Sequence, residues 1–182
     1  MDQYSDDELI DLFHNSDNAN YAFSLIVKKY QTQVYWHVRR MIVDHEDTSD
    51  IVQDVFVKAW KALGNFRNDS ALYTWLYRIA TNEAITFLNK KKKRFLISFN
   101  DVEHALSEKL ENDAYFDGDE IQKKLQKAIL TLPPKQRAVF NMRYFDEMKY
   151  EDMAKVLKKS TGALKANYHH AASKIEDYLK NN

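Results

Sequence analysis

Two stretches of this chain combine residue types and spacings that suit polyanion chemistry. The first, WLYRIATNEAITFLNKKKKR (residues 75–94), places Tyr77, Arg78 and Asn82 along one helical segment and follows them with Lys90, Lys91, Lys92, Lys93 and Arg94. Aromatic faces stack on unpaired bases while a cationic track holds the backbone, which is how proteins grip single strands. The cations alone would hold phosphates without reading sequence. An amphipathic helix running into a solvated charge run has the same composition, and Trp75, at helical spacing from Ile79, belongs with a core rather than a base platform. In the second stretch, YEDMAKVL, then KKST, then GALKANYHHAASKIEDYL has the spacing of a helix-turn-helix. Its second helix offers Leu164, Tyr168, Ala171 and Ile175 inward. Outward it offers Thr161, Lys165, Ala166, His169 and His170, a face that can lie in a major groove.

Other chemistries find little support. There is no cysteine, so disulfides, thiolate metal sites and a cysteine nucleophile are excluded. His169 and His170 are adjacent on a helix and point apart, with no third ligand in view. His45, set among acids, reads as a solvated turn residue. No Glu-x-x-His pair of the kind a carboxylate-bridged metal site needs occurs twice. No catalytic residue, metal or cofactor is therefore expected. The opening MDQYSDDELI is acidic and lacks the apolar run of a signal peptide, and no apolar stretch is long enough for a membrane span. The expectation is a soluble, cytoplasmic protein without membrane insertion.

Formal neutrality conceals a partition of charge. Residues 1–60 carry 5 Lys and Arg against 11 Asp and Glu, and residues 61–97 carry 8 against 2. Residues 98–120 carry 1 against 8, and residues 121–182 carry 13 against 6. Two basic blocks separated by an acidic one predict two polyanion-facing surfaces on separate bodies.

The elements that must position these residues read as helices throughout. Only three glycines and two prolines interrupt the chain, and no segment alternates as a half-buried strand does. Ser5 and Glu8 have the capping-box spacing. A long helix is predicted from about Asn20 to Val43, with Phe23, Ile26, Tyr30, Val34 and Val38 on one face. Thr48, Ser49 or Asp50 can cap a third helix bearing Ile51, Val52, Val55, Phe56, Ala59 and Trp60, and Ser70 can cap a fourth. Residues 98–119, SFNDVEHALSEKLENDAYFDGD, lack a sustained period and read as an acidic linker with one helical turn at most. Helices resume near Glu120, and Pro134 can occupy the first turn of the helix after LPP. The fold class is all-α: two small helical domains joined by the acidic linker, the second containing the helix-turn-helix.

TSDIVQDVFVKAWKAL followed by NFRNDSALYTWLYRIATNEAITFLNKKKKR resembles conserved region 2 of bacterial RNA polymerase sigma factors of the extracytoplasmic-function group. LPPKQRAVFNMRYFDEMKYEDMAKVLKKSTGALKANYHHAASKI is similar to region 4 of the same family. The resemblance implies a region 2 bundle over residues 1–97, a linker over 98–119 and a region 4 domain over 120–182. It implies a polymerase-docking helix at Asp50, Gln53, Asp54, Phe56, Val57 and Trp60. Capture of the minus-10 strand would fall to Phe66, Arg67, Asn68, Asp69 and Ser70, with Tyr77, Arg78 and Asn82 beside them. Arg143, Thr161, Lys165, Ala166, His169 and His170 would face the minus-35 element. Core RNA polymerase and promoter DNA are the implied partners, with an anti-sigma protein left open, and the factor would have no catalysis of its own. The pattern departs from the family at Lys158 and Lys159, where many members have a glycine and an apolar residue. A lysine in a left-handed turn costs about 1 kcal/mol relative to glycine, so a rebuilt turn is expected there. A helix-turn-helix regulator acting without polymerase is the alternative, and it would need neither the docking helix nor the 66–94 surface.

Overall fold

The computed structural model describes residues 4–15, 17–94, 99–111, 113 and 120–181, and among these every regular element is a helix. In chain order they are α1 (Asp6–His14), α2 (Ala19–Ile42), α3 (His45–Leu63), α4 (Leu72–Arg94), α5 (Phe99–Glu111), α6 (Glu120–Leu130), α7 (Pro134–Tyr144), α8 (Tyr150–Leu157) and α9 (Thr161–Asn181).

Helix α1 starts with the expected reciprocal cap: the Glu8 amide donates to Ser5 Oγ at 3.2 Å, and the Ser5 amide to Glu8 Oε2 at 2.7 Å. Along α2 the predicted stripe turns inward, with Ile26, Tyr30, Val34 and Val38 buried. Helix α3 begins earlier than expected. Its cap is Asp44, whose carboxylate accepts from the Asp47 amide at 2.8 Å, so Thr48, Ser49 and Asp50 lie inside the helix. His45 consequently opens α3, with Nδ1 2.7 Å from the Tyr35 hydroxyl, instead of standing in a turn. Helix α4 starts at Leu72, two residues beyond Ser70. Pro134 occupies the first turn of α7 as predicted, where its missing N–H has no helical partner to lose.

The acidic stretch departs most from expectation. Instead of one turn it contains the 13-residue helix α5, which buries Leu106 and Leu110 at 0% exposure. Their i, i+4 spacing sets one apolar edge on a segment whose remaining positions are mostly polar, too narrow an edge to register as a period. Lys109 of α5 pairs with Asp44, fastening the segment to the start of α3.

The two halves pack against each other. One apolar cluster runs from Leu9, Val38, Val55 and Leu76 to Met142, Met153 and Leu164, so α2 and α4 share a core with α7 and α8. Arg137 is the largest fully buried side chain, at 1% exposure. Its guanidinium donates to the carbonyls of Met41 (2.6 Å), Leu130 (2.7 Å) and Leu132 (3.3 Å). Met41 and Leu130 lie in the last turns of α2 and α6, whose carbonyls lack helical donors, so one cation satisfies two helix ends. Burial draws its pKa down to about 10, and Arg137 remains charged at neutral pH. Gln126 adds a bond from its side-chain amide to the Arg40 carbonyl at 2.9 Å.

Candidate nucleic-acid and polymerase interface

Three faces carry the residues singled out by the sequence. On α3 the buried positions are Thr48, Ile51, Val55, Phe56, Ala59 and Leu63. This stripe leaves Asp50, Gln53, Asp54 and Val57 outward, with Val57 45% exposed. Val57 is thus an exposed apolar side chain one helical turn from the Asp54 carboxylate. Phe56 does not belong to it: the ring is buried and meets Phe23 edge-on at 6.4 Å. Trp60 is divided, 38% exposed while its indole packs edge-on to Phe13 (5.2 Å) and Phe23 (5.1 Å).

The second face is the 66–70 loop with α4. Arg67, Asn68 and Asp69 are exposed, and Phe66 is half-buried with its ring 5.1 Å from Trp75. Trp75 itself is buried, which agrees with its reading as core. Asn68 holds the left-handed conformation (φ 57°), which asparagine tolerates better than most residues, and its Nδ2 reaches Asp7 Oδ1 at 3.4 Å. Arg67, Asp69, Ser70, Thr74 and Arg78 line a recess whose far wall is Ala154, Lys155 and Lys158 of the helix-turn-helix. Asn82 is exposed.

Tyr77 is not available on this face. It is 2% exposed, with its ring 4.4 Å from Tyr73 and 4.5 Å from His37 and its hydroxyl donating to the Gln33 carbonyl at 3.4 Å. Residues 145–149 and Asp152 of the other half face it across a shared cleft. Burial, reinforced by the Asp146 carboxylate, pushes the Tyr77 phenol far above its ordinary range and that of Tyr73 to about 12, so both stay neutral donors. Of the basic run, Lys90 is exposed. Lys91 lies 3.3 Å from Asp47 and over the Phe87 ring at 5.4 Å. The side chains of Lys92, Lys93 and Arg94 lie outside the described residues.

The third face is the helix-turn-helix. Met153 and Val156 of α8 share a buried cluster with Leu164 of α9, while Ala171 and Ile175 of α9 pack with Ile129 of α6 and Phe140 of α7. Lys165, Ala166, His169 and His170 project outward, and Thr161 at the first position is half-buried. Ser160 accepts from the Ala163 amide at 3.2 Å and so caps α9, a role visible in the sequence as the Ser before the run but unread there. Arg143 does not project with these residues. It donates to the Met148 carbonyl at 3.3 Å and lies over the Tyr150 ring at 5.4 Å, which makes it a positioning residue for the turn before α8. Lys165 lies 5.7 Å from the same ring.

The turn was expected to be rebuilt around its lysines, and it is not. Lys158 adopts the left-handed C-cap conformation (φ 52°, ψ 49°). Lys158→Gly is expected to stabilise the chain by about 0.5–1 kcal/mol in urea unfolding, because glycine carries no Cβ penalty there. A destabilisation of similar size would show that the lysine stem contributes packing that outweighs the strain.

Among the described residues no group of three His, Asp or Glu side chains could hold a metal ion, and no helix is long and apolar enough to cross a membrane. Comparison with known proteins places families on this geometry. The model for sigma-70 region 2 matches residues 26–94, and the model for sigma-70 region 4 matches residues 122–175. The RNA polymerase sigma-H factor of Pseudomonas aeruginosa is 33% identical over 188 residues, covering 99% of this chain and 96% of that protein. The ECF RNA polymerase sigma-E factor of Escherichia coli K12 is 31% identical, covering 98% of this chain and 96% of that protein. Among solved structures, CnrH in complex with the cytosolic domain of CnrY shares the fold with a TM-score of 0.70 and 22% identity, over 97% of this chain and 98% of that one. The sigma factor RpoE bound to the anti-sigma factor NepR, from Bartonella quintana, gives a TM-score of 0.67 at 20% identity, over 87% of this chain and 96% of that one.

Proposed function

This chain belongs to the sigma-70 family and to its extracytoplasmic-function group, and from that premise we propose that it binds core RNA polymerase, directs it to promoter DNA and helps open that DNA for initiation. The observation that carries this reading is the separation of faces. The docking residues Asp50, Gln53, Asp54 and Val57 and the duplex-facing residues Lys165, Ala166, His169 and His170 are free on opposite halves of the chain. Tyr77 is instead buried against His37 and Tyr73, at a cleft whose other wall belongs to the second half. Such a protein meets polymerase and duplex first and captures single strand only after its halves move apart.

In this account residues 1–97 act as the docking and minus-10 body, residues 98–119 as a tether containing α5, and residues 120–182 as the minus-35 body. Phe66, Arg67, Asn68, Asp69 and Ser70 form a loop beside Arg78 and Asn82 that takes unstacked bases, each worth about 1–3 kcal/mol of stacking, with Tyr77 joining once uncovered. Lys90 to Arg94 hold the adjoining backbone. The chain supplies recognition and no catalysis, and it works in the cytoplasm where the polymerase is. An anti-sigma protein is part of this reading, because solved proteins of the same fold are held by CnrY and by NepR.

Gel filtration of the purified chain with core polymerase tests the reading. A stoichiometric complex that shifts a promoter fragment, where the chain alone does not, is the expected result. A chain that binds a specific duplex alone and ignores core would instead be a helix-turn-helix regulator.

A further inference from the structure

The contact between the two halves turns on one carboxylate. Asp146, in the loop between α7 and α8, places Oδ2 3.2 Å from His37 Nδ1 and Oδ1 3.2 Å from Arg40 Nη1. Its side chain is 8% exposed, that of His37 0% and that of Arg40 24%. The other imidazole nitrogen is 2.9 Å from Thr81 Oγ1, whose own proton goes to the Tyr77 carbonyl at 2.7 Å. Thr81 Oγ1 and the Asp146 carboxylate thus hold the ring from its two nitrogens. A guanidinium and an imidazole one helical turn apart on α2 thus converge on a single carboxylate from the other half. Arg40 also lies over the Phe145 ring at 4.3 Å. The loop that delivers the carboxylate is bent through a left-handed residue, Glu147 (φ 49°), a conformation strained for a side chain with a Cβ and held by its surroundings.

Tyr73 and Tyr77 line the same cleft as Arg40 and Asp146. When the halves separate, the Arg40 guanidinium and the His37 imidazole lose this acceptor beside two phenols. We infer that His37 and Arg40 form a phosphate-binding pair on the first half, which Asp146 occupies as an internal substitute until the backbone of a nucleic-acid single strand displaces it. The pair would hold the strand whose bases meet α4, so the inference rests on the promoter reading of that surface and adds residues of α2 to it. A carboxylate and a phosphate present the same acceptor pattern to a guanidinium, and the two cannot be bound at once.

The test uses the full chain and a short fluorescein-labelled, mixed-sequence single-stranded DNA oligonucleotide. Asp146→Asn is expected to tighten binding about tenfold, because a binding site occluded most of the time lowers apparent affinity by the fraction open. Distance between fluorophores on α3 and α9 should increase in the same variant. Adding Arg40→Gln should remove the gain and reduce the slope of log affinity against log salt by about 0.7, the value for one lost phosphate contact on a single strand. Unchanged helical circular dichroism verifies folding; should Asp146→Asn unfold, Arg40→Gln alone breaks the same contact from the first half and must also lengthen the distance. The inference is overturned if Asp146→Asn separates the halves without tightening DNA binding, if it does neither, or if the tightened binding and its salt slope survive Arg40→Gln. Arg78→Ala in the Asp146→Asn background distinguishes the two layers. Silence there alongside a loss from Arg40→Gln would sink the strand reading of α4 and leave the phosphate pair standing.

Discussion

Asp54→Lys combined with Val57→Glu is expected to weaken association with core polymerase by roughly 30- to 1,000-fold, leaving thermal unfolding within about a degree or two. Both side chains lie on the outer face of α3, and neither belongs to the buried stripe that holds the helix in place. Residues central to an interface typically cost about 1–2 kcal/mol or more each when disrupted, and each 1.4 kcal/mol is tenfold. Surface changes of this kind alter stability by only about 0.5 kcal/mol. Trp60 is unsuitable for the same purpose. Its contacts with Phe13 and Phe23 mean that Trp60→Ala would cost about 1–3 kcal/mol of stability, and lost binding would then say little about docking. Titration of labelled core polymerase with the double variant decides the matter, and binding at the unmodified affinity would remove α3 from the interface.

The two basic surfaces should fail in different ways. Lys165 and His169 are four residues apart on the exposed face of α9, and in the proposed reading they meet base edges. The pair Lys165→Ala and His169→Ala should therefore lose about 1–3 kcal/mol on some minus-35 sequences and much less on others. Lys90→Ala with Lys91→Ala should weaken all promoters alike and flatten the salt dependence by about one counterion per contact. The pairing of Lys91 with Asp47 does not oppose this, since partly exposed pairs contribute about 0–1 kcal/mol and a phosphate competes readily. Holoenzyme made with each variant, titrated against matched minus-35 substitutions at several salt concentrations, separates the two patterns. Uniform loss from the α9 pair would mean that this helix docks on the backbone and leaves sequence unread.

Helix periods, the cap of α1 and the helix-turn-helix were legible because each is a local property, whereas the cap of α3 lies at Asp44, ahead of the residues expected to form it. The α2 stripe, the Ser5 and Glu8 cap and Pro134 at the start of α7 involve residues a few positions apart, and their partners stand in the same short stretch. Lys158 shows the limit of even a local rule: the left-handed turn is kept and the strain accepted, because packing of Met153 and Val156 against Leu164 fixes the turn's ends. Helix α5 was missed because two leucines carry its burial within a segment dominated by acids. What no local pattern could reveal is the contact between halves. Arg137 reads as one more charged residue until the carbonyls of Met41, Leu130 and Leu132 are placed around it, and Met41 is distant in sequence. His37 and Asp146 likewise have no sequence relation that predicts their meeting. Tyr77 was assigned to the strand-binding surface from its type and position, and its burial against His37 and Tyr73 follows from the packing of α4 on α2.

Run-off transcription by core polymerase on a library of randomised upstream sequences, with and without this chain, tests the central claim most directly. The account predicts start sites that appear only when chain and core are both present, downstream of two recurring sequence blocks at fixed separation. Identical transcripts with and without the chain, together with protection of duplex DNA by the chain alone, would contradict it.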